Sequence, residues 1–147
     1  MLFLDEPTTG VDAVSRAEFW EMLKRLKAHG ITILVSTPYM DEASLCERIA
    51  LIQEGKILQV DTPQKITTSY SKPLFEIRSD DFYQLLKDLR DEPFTERVEP
   101  FGEYLHLTTN SDISKDSIST ILQKKGHAQI EINPTIATIE DVFLDLM

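Results

Sequence analysis

The stretch LFLDEPTTGVD (residues 2–12) begins with an apolar run and turns acidic at Asp5 and Glu6. The continuously apolar residues 2–4 predict a strand that is buried on both faces, as strands of a parallel sheet are. Asp5 would then lie at the carboxyl edge of the sheet, where open α/β folds bind their ligands. Gly10 permits the turn that must follow. The stretch therefore predicts one side of a ligand site at a sheet edge.

The acidic pair has chemistry that suits this position. In nucleotide-hydrolysing sheets, an Asp at the end of such a strand holds Mg²⁺ through hard oxygen ligation. Side chains alternate along a strand, so Glu6 points elsewhere and can polarise a water for attack on a terminal phosphate. A bare Asp-Glu pair is more often only a solvated strand end. The surrounding pattern therefore has to distinguish the two interpretations.

The residues after this stretch predict a helix and a second strand. Phe19, Met22, Leu23 and Leu26 recur with helical spacing within residues 14–29, and Ser15 and Glu18 have the spacing of a capping box. ITILVS (residues 31–36) is a second apolar run, so the two strands and the helix predict a right-handed βαβ unit. A helix over 40–47, a hairpin turning at residues 54–55 and a helical turn ending at residue 66 should follow.

A polar segment at residues 67–73 marks a domain boundary. Beyond it, the pattern predicts the element order β-α-β-β-α-β, which is the split βαβ arrangement of ferredoxin-like domains. A terminal helix should cover residues 138–147, with apolar residues on one face. We therefore predict an α/β fold with two domains, residues 1–70 and residues 71–147.

Charge and composition exclude several classes of protein. Residues 1–72 hold 8 basic and 10 acidic residues, a net charge of −2, while residues 73–147 hold 7 and 15, a net charge of −8. This acidity argues against nucleic acid as a partner. Cys46 is the only cysteine, which excludes an internal disulfide and a multi-cysteine zinc site. No apolar run is long enough to span a membrane. With a single cysteine and no secretory signal in view, a reducing cytoplasm is the expected compartment.

The string LFLDEPTTGVDAVSR (residues 2–16) resembles the Walker B and D-loop segment of ATP-binding-cassette (ABC) transporter ATPases. Residues 31–58 resemble the switch-loop strand, the following helix and the closing hairpin of that family. The terminal PTIATIEDVFLDLM is similar to the tail of the ATPases that serve ABC-2-type exporters. The resemblance implies that residues 1–70 are part of a P-loop NTPase parallel sheet and that an accessory domain follows.

The resemblance also implies roles for individual residues. Asp5 would be the Walker B residue that ligates Mg²⁺, Glu6 the catalytic base, and Asp12 the D-loop aspartate at the bound nucleotide and the dimer interface. ATP and Mg²⁺ would be the cofactors. The partners would be an ABC-2-type membrane permease and a second nucleotide-binding domain, with the protein peripheral on the inner face of the cell membrane.

The sequence departs from the family by lacking the other half of the nucleotide site. A phosphate-binding loop needs the pattern G-x-x-x-x-G-K-[ST], and no glycine of this chain stands in that pattern. The Q-loop and the signature motif of the family are absent as well. We therefore expect a C-terminal fragment of a longer parent, and no ATP or Mg²⁺ bound by this chain alone.

A second departure concerns the switch loop, which in the family normally reads Ser-Thr-His. Here Pro38 stands in place of the histidine, after Ser36 and Thr37. Proline offers no side-chain donor and no backbone N–H. Losing a group that stabilises a transferring phosphoryl could cost several kcal/mol of barrier. A degenerate ATP site is therefore expected, the alternative being that Glu6 suffices.

A different class of function remains open. The chain could be a non-catalytic regulatory or dimerisation module in which the acidic second half is the working part. An unpaired strand edge would favour a homodimer. Of the histidines, His106 is expected on a sheet surface and His127 in a turn, and their isolation argues against a metal cluster.

Overall fold

The computed structural model describes residues 1–147 and divides into two units, Met1–Pro63 and Gln64–Met147. No helix in either unit has the length and apolar character needed to cross a membrane. The elements of the first unit are β1 (Leu2–Asp5), α1 (Ala13–Ala28), β2 (Ile33–Ser36), α2 (Met40–Ala43), β3 (Ile49–Gln53) and β4 (Lys56–Asp61). At the boundary and beyond are α3 (Pro63–Thr68), β5 (Leu74–Arg78), α4 (Phe82–Arg90), β6 (Thr95–Phe101), β7 (Tyr104–Thr109), α5 (Lys115–Lys124), β8 (Glu131–Pro134) and α6 (Ile139–Leu146).

The first unit contains a parallel pair of strands joined by a helix. β1 and β2 run parallel, with Leu2 opposite Ile33 and Asp5 opposite Ser36. The prediction that both faces of these strands are buried is wrong, since burial alternates along each strand. Phe3, 66% exposed, lies on the open face, because the sheet has only two strands and no layer covers that side.

Helix α1 begins one turn earlier than its expected cap. Asp12 is the N-cap residue, and its Oδ1 accepts from the backbone N–H groups of Val14 and Ser15, both at 3.0 Å. The capping box expected at Ser15 and Glu18 is therefore wrong. The physical reason is that the Asp12 carboxylate, standing just before the first turn, satisfies the free N–H groups first.

The second unit is built on one four-stranded sheet with the order β6-β7-β5-β8, in which every neighbouring pair is antiparallel. Helices α4 and α5 cover one face of this sheet. The core between them consists of fully buried aliphatic side chains, which include Ile77, Leu85, Leu89, Leu105, Leu107, Ile118 and Leu122. The molecule is therefore a mixed α/β protein with small sheets, and the second unit has a core of its own.

Candidate functional site

Asp5 and Glu6 lie where β1 ends, at the carboxyl edge of the parallel pair. Opposite them, the hydroxyl of Ser36 donates to Oδ1 of Asp5. The same hydroxyl accepts from the backbone N–H of Glu6 at 3.0 Å, and that N–H also points at the Ser36 carbonyl at 3.0 Å. The end of β2 therefore holds both the Asp5 carboxylate and the Glu6 backbone.

Glu6 adopts a backbone conformation that is uncommon for a residue with a side chain. Its φ is +43°, in the left-handed region, where the chain leaves β1 and turns. Such a conformation costs about 1–3 kcal/mol and is often found at functional sites. The exposed Glu6 carboxylate has one neighbour, the Thr9 hydroxyl, which donates to Oε2 at 3.4 Å. Most of its hydrogen-bonding capacity is thus available to a ligand or water.

The structure gives Asp12 a local role. Hydrogen bonds from the backbone and side chain of Ser15, and from the Val14 N–H, lower the pKa of the Asp12 carboxyl below its ordinary value. Asp12 is fully ionised at neutral pH and stands at the positive end of the α1 dipole. Its Oδ1 accepts two backbone N–H groups of the helix, so Asp12 serves first as the cap of α1.

Pro38 is exposed, and its neighbours are tied to other parts of the first unit. The Thr37 hydroxyl donates to Oε2 of Glu42 at 2.6 Å, and the Tyr39 ring lies 5.1 Å from the Arg16 guanidinium carbon. The Thr37 hydroxyl is therefore already engaged as a donor and does not replace the one that proline lacks.

Sequence reasoning missed a buried ion pair beside this loop. Glu42 is only 2% exposed, with its Oε1 3.6 Å from Nε of Arg16, and Arg16 also contacts Asp41 at 2.6 Å. A buried carboxylate requires a partner, and α1 supplies it to α2. The sequence showed only that the predicted helix carries a basic residue, Arg16. A basic residue alone does not indicate which carboxylate it will contact.

The strand end presents one carboxylate, that of Asp5, with the hard oxygen chemistry that Mg²⁺ prefers. No group of three His, Cys, Asp or Glu side chains is arranged to hold a metal. Mg²⁺ is usually held by one or two carboxylates together with water and substrate phosphates. Asp5 would hold such an ion through its exposed carboxylate, and the ion would supply charge neutralisation for phosphate oxygens.

Two histidines of the second unit have partners that their sequence positions did not indicate. The expectation that His106 lies on a sheet surface is wrong, because its ring is buried, stacks on Phe101 at 3.9 Å and contacts Asp141 at 2.9 Å. His127 is also buried, and its Nε2 lies 2.7 Å from Asp88. Both are structural pairs between elements, and neither forms part of a metal cluster.

Comparison with known proteins gives relatives over the whole chain. It is 33% identical over 149 residues to the probable multidrug ABC transporter ATP-binding protein YbhF of Escherichia coli, covering all of this chain and 25% of that protein. It is 38% identical over 148 residues to the Nod factor export ATP-binding protein I of Burkholderia pseudomallei, covering 99% of this chain and 46% of that protein. No family model matches the chain.

A third relative also matches almost the whole of this chain and less than half of its own length. The Nod factor export ATP-binding protein I of Mesorhizobium japonicum is 33% identical over 148 residues, which cover 42% of its length. The chain thus spans between a quarter and about half the length of the curated relatives it matches.

Proposed function

We propose, from the membership of this chain in the family of ABC transporter ATP-binding proteins, that it is part of a subunit that couples ATP hydrolysis to export through a membrane permease. The activity is proposed for a longer protein that contains this sequence, because the chain spans less than half the length of these relatives. The permease would be of the ABC-2 type, and a second nucleotide-binding domain would complete the ATP site.

The observation that carries this proposal is the acidic pair at the carboxyl edge of a parallel strand pair. In the proposed mechanism, Asp5 would hold Mg²⁺, which would neutralise phosphate charge, and Glu6 would accept a proton from the water that attacks the terminal phosphate. The exposure of Glu6 and its single weak side-chain neighbour support this role. Asp12, which is exposed, would contact the nucleotide or the second nucleotide-binding domain.

The two domains expected from the sequence would have separate tasks, although the structural units meet earlier, between Pro63 and Gln64. We propose that residues 1–70 are the carboxyl portion of a P-loop NTPase domain and that residues 71–147 form an accessory domain of ferredoxin-like type. The strand order β6-β7-β5-β8 supports the second assignment. The protein would be cytoplasmic and peripheral on the inner face of the cell membrane through its permease.

The test is phosphate release from Mg-ATP by a protein that joins this sequence to a phosphate-binding loop. Glu6→Gln keeps the size of the side chain but removes the base, so turnover should fall by about a hundredfold or more. Glu18→Gln, an exposed change on α1, is the matched control and should leave turnover unchanged. Full turnover by the Glu6 variant would contradict the assignment.

A second candidate function is a regulatory or dimerisation module with a degenerate ATP site. Pro38 favours it, because proline supplies no side-chain donor and the hydroxyl of the adjacent Thr37 already donates to Glu42. If the site is degenerate, Pro38→His should raise turnover, and an unchanged rate would count against degeneracy. Calorimetry of this chain with Mg-ATP should show no binding, whereas micromolar affinity would favour an ATP site within the chain.

A further inference from the structure

Helix α6 lies on the face of the second sheet that α4 and α5 do not cover. Its Asp141 contacts His106 of β7 at 2.9 Å, and its Val142 is buried, with 4% of its surface exposed. His106 alternates along β7 with Leu105 and Leu107, which belong to the aliphatic core beneath α4 and α5. Because side chains alternate along a strand, His106 and the helix that contacts it lie on the opposite face.

The same face holds the segment that leads from α3 into β5, residues 69–73, which we call the connector. It follows closely after the boundary between the two units. The hydroxyl of Tyr70 lies 2.7 Å from Oγ1 of Thr108 on β7. The ammonium group of Lys72 pairs with the carboxylate of Asp145 on α6. The connector is therefore attached both to the sheet and to the last helix of the chain.

Arg97 of β6 joins these two attachments. Its Nη2 donates to the Tyr70 hydroxyl at 3.4 Å and to the Asp141 carbonyl at 3.2 Å, and its Nη1 lies 3.9 Å from Oδ1 of Asp145. Asp141 and Asp145 are four residues apart, so α6 presents both to the same side. One guanidinium group thus contacts the connector and two successive turns of α6. The other partner of Lys72 is Glu96, also of β6, at 2.5 Å.

We propose that α6 is a latch: its docking on the sheet holds the connector in place, and its release frees the connector. The residues of the aliphatic core beneath α4 and α5 come from other elements, so α6 leaves without opening that core. The free energy that couples two contacts is reciprocal, so the connector in turn stabilises the docked helix. The last helix of the chain thereby controls the segment that follows the boundary between the units.

The test is limited proteolysis of the 147-residue chain with chymotrypsin, in which mass spectrometry quantifies the cut after Tyr70. When opening is fast relative to cleavage, the cleavage rate follows the population of the open connector. Val142→Ala weakens the docking of α6 at a residue that carries none of the ion pairs to the connector, so cleavage should accelerate by about threefold or more. Asp145→Asn, which removes the charge beside Lys72, should accelerate it to a similar extent.

Asp112→Asn, at an exposed loop carboxylate, is the matched control for Asp145→Asn and should cleave at the wild-type rate. Hydrogen exchange of the α5 amides should stay at its wild-type level in Val142→Ala, because the aliphatic core remains closed. If Asp145→Asn accelerates cleavage and Val142→Ala does not, the connector is held by an ion pair alone, and the latch is overturned. A wild-type rate in both variants would overturn it as well.

A reciprocal measurement covers the case in which Val142→Ala unfolds the whole second unit. Lys72→Gln changes only the connector, and by reciprocity the exchange of the α6 amides, such as that of Met147, which donates to the Phe143 carbonyl, should accelerate by about threefold. Lys115→Gln, an exposed change at the start of α5, is its control. Unchanged exchange in α6 would show that the helix and the connector are independent.

Discussion

The two units use their sheets in opposite ways. In the first unit, the two-stranded parallel sheet leaves Phe3 and Leu34 exposed on one face and concentrates polar chemistry at its carboxyl edge. In the second unit, β7 is buried from Leu105 to Thr109, with aliphatic contacts on one face and polar pairs on the other. The difference is that the second unit encloses its sheet in a core, while the first leaves apolar side chains of its sheet and the acidic pair exposed.

The largest expected effect is in the core of the second unit. Leu107 is fully buried among aliphatic side chains, so Leu107→Ala should lower the free energy of unfolding of that unit by about 2–5 kcal/mol. Urea unfolding followed by hydrogen exchange of the β7 amides measures this. The fluorescence of Trp20, the only tryptophan and a residue of α1, reports the first unit separately. A loss of unfolding free energy below about 1 kcal/mol would contradict the inference that β7 lies in a tightly packed core, on which the contrast between the two units depends.

The next largest expected loss of stability comes from disrupting the buried contact between Asp141 and His106 in the second unit. Burial acts to raise the pKa of the Asp141 carboxyl, but hydrogen bonds from His106 and Thr138 outweigh it and hold the pKa below its ordinary value of 3.8. A carboxyl whose pKa is lowered by folding contributes stability above the unfolded value and loses it as pH falls through the folded value. Asp141→Asn should therefore cost about 2 kcal/mol at neutral pH.

The stability cost of Asp141→Asn should also depend on pH. The difference between the wild type and Asp141→Asn should shrink as pH is lowered below about 4, because the wild-type carboxyl becomes protonated. Urea midpoints at pH 7 and pH 3 measure the change. Asp112→Asn, an exposed carboxyl in a loop, is the control. A pH-independent difference would show that packing alone, without the charge, accounts for the cost.

A smaller effect is expected at the start of α1. Asp12→Ala removes the N-cap acceptor of two backbone N–H groups and should destabilise the first unit by about 1 kcal/mol. Unfolding followed by Trp20 fluorescence measures this cost. Ser15→Ala should cost less, since the Ser15 side chain does not cap the helix. A larger cost for Ser15→Ala than for Asp12→Ala would indicate that Ser15 caps the helix after all, as the capping-box prediction requires.

The smallest effect is expected on the open face of the parallel pair. Phe3→Thr, at a side chain that is 66% exposed, should change the stability of the first unit by less than about 0.5 kcal/mol. Thermal unfolding followed by Trp20 fluorescence measures this. A loss of 2 kcal/mol or more would mean that this face is covered in solution, and the contrast between the two sheets would then be weaker.

Much of the fold followed from local patterns in the sequence. The apolar run before Asp5 and the run at residues 31–36 indicated the two parallel strands, and the helical spacing between them indicated α1. These signals succeed because strand and helix periodicities are properties of neighbouring residues. The identity of the cap was missed since Asp12 and Ser15 both have the right chemistry, and only the helix start distinguishes them.

The order of helices and strands along the chain could therefore be predicted from residues that are close in sequence. The same is true of the position of the acidic pair at the end of β1. The tertiary structure alone decided that Phe3 is exposed, that Arg16 meets Glu42, and that His106 pairs with Asp141, which lies 35 residues further along the chain. The reason is physical: a buried charge or imidazole must find a partner, and which partner is within reach depends on how distant elements pack.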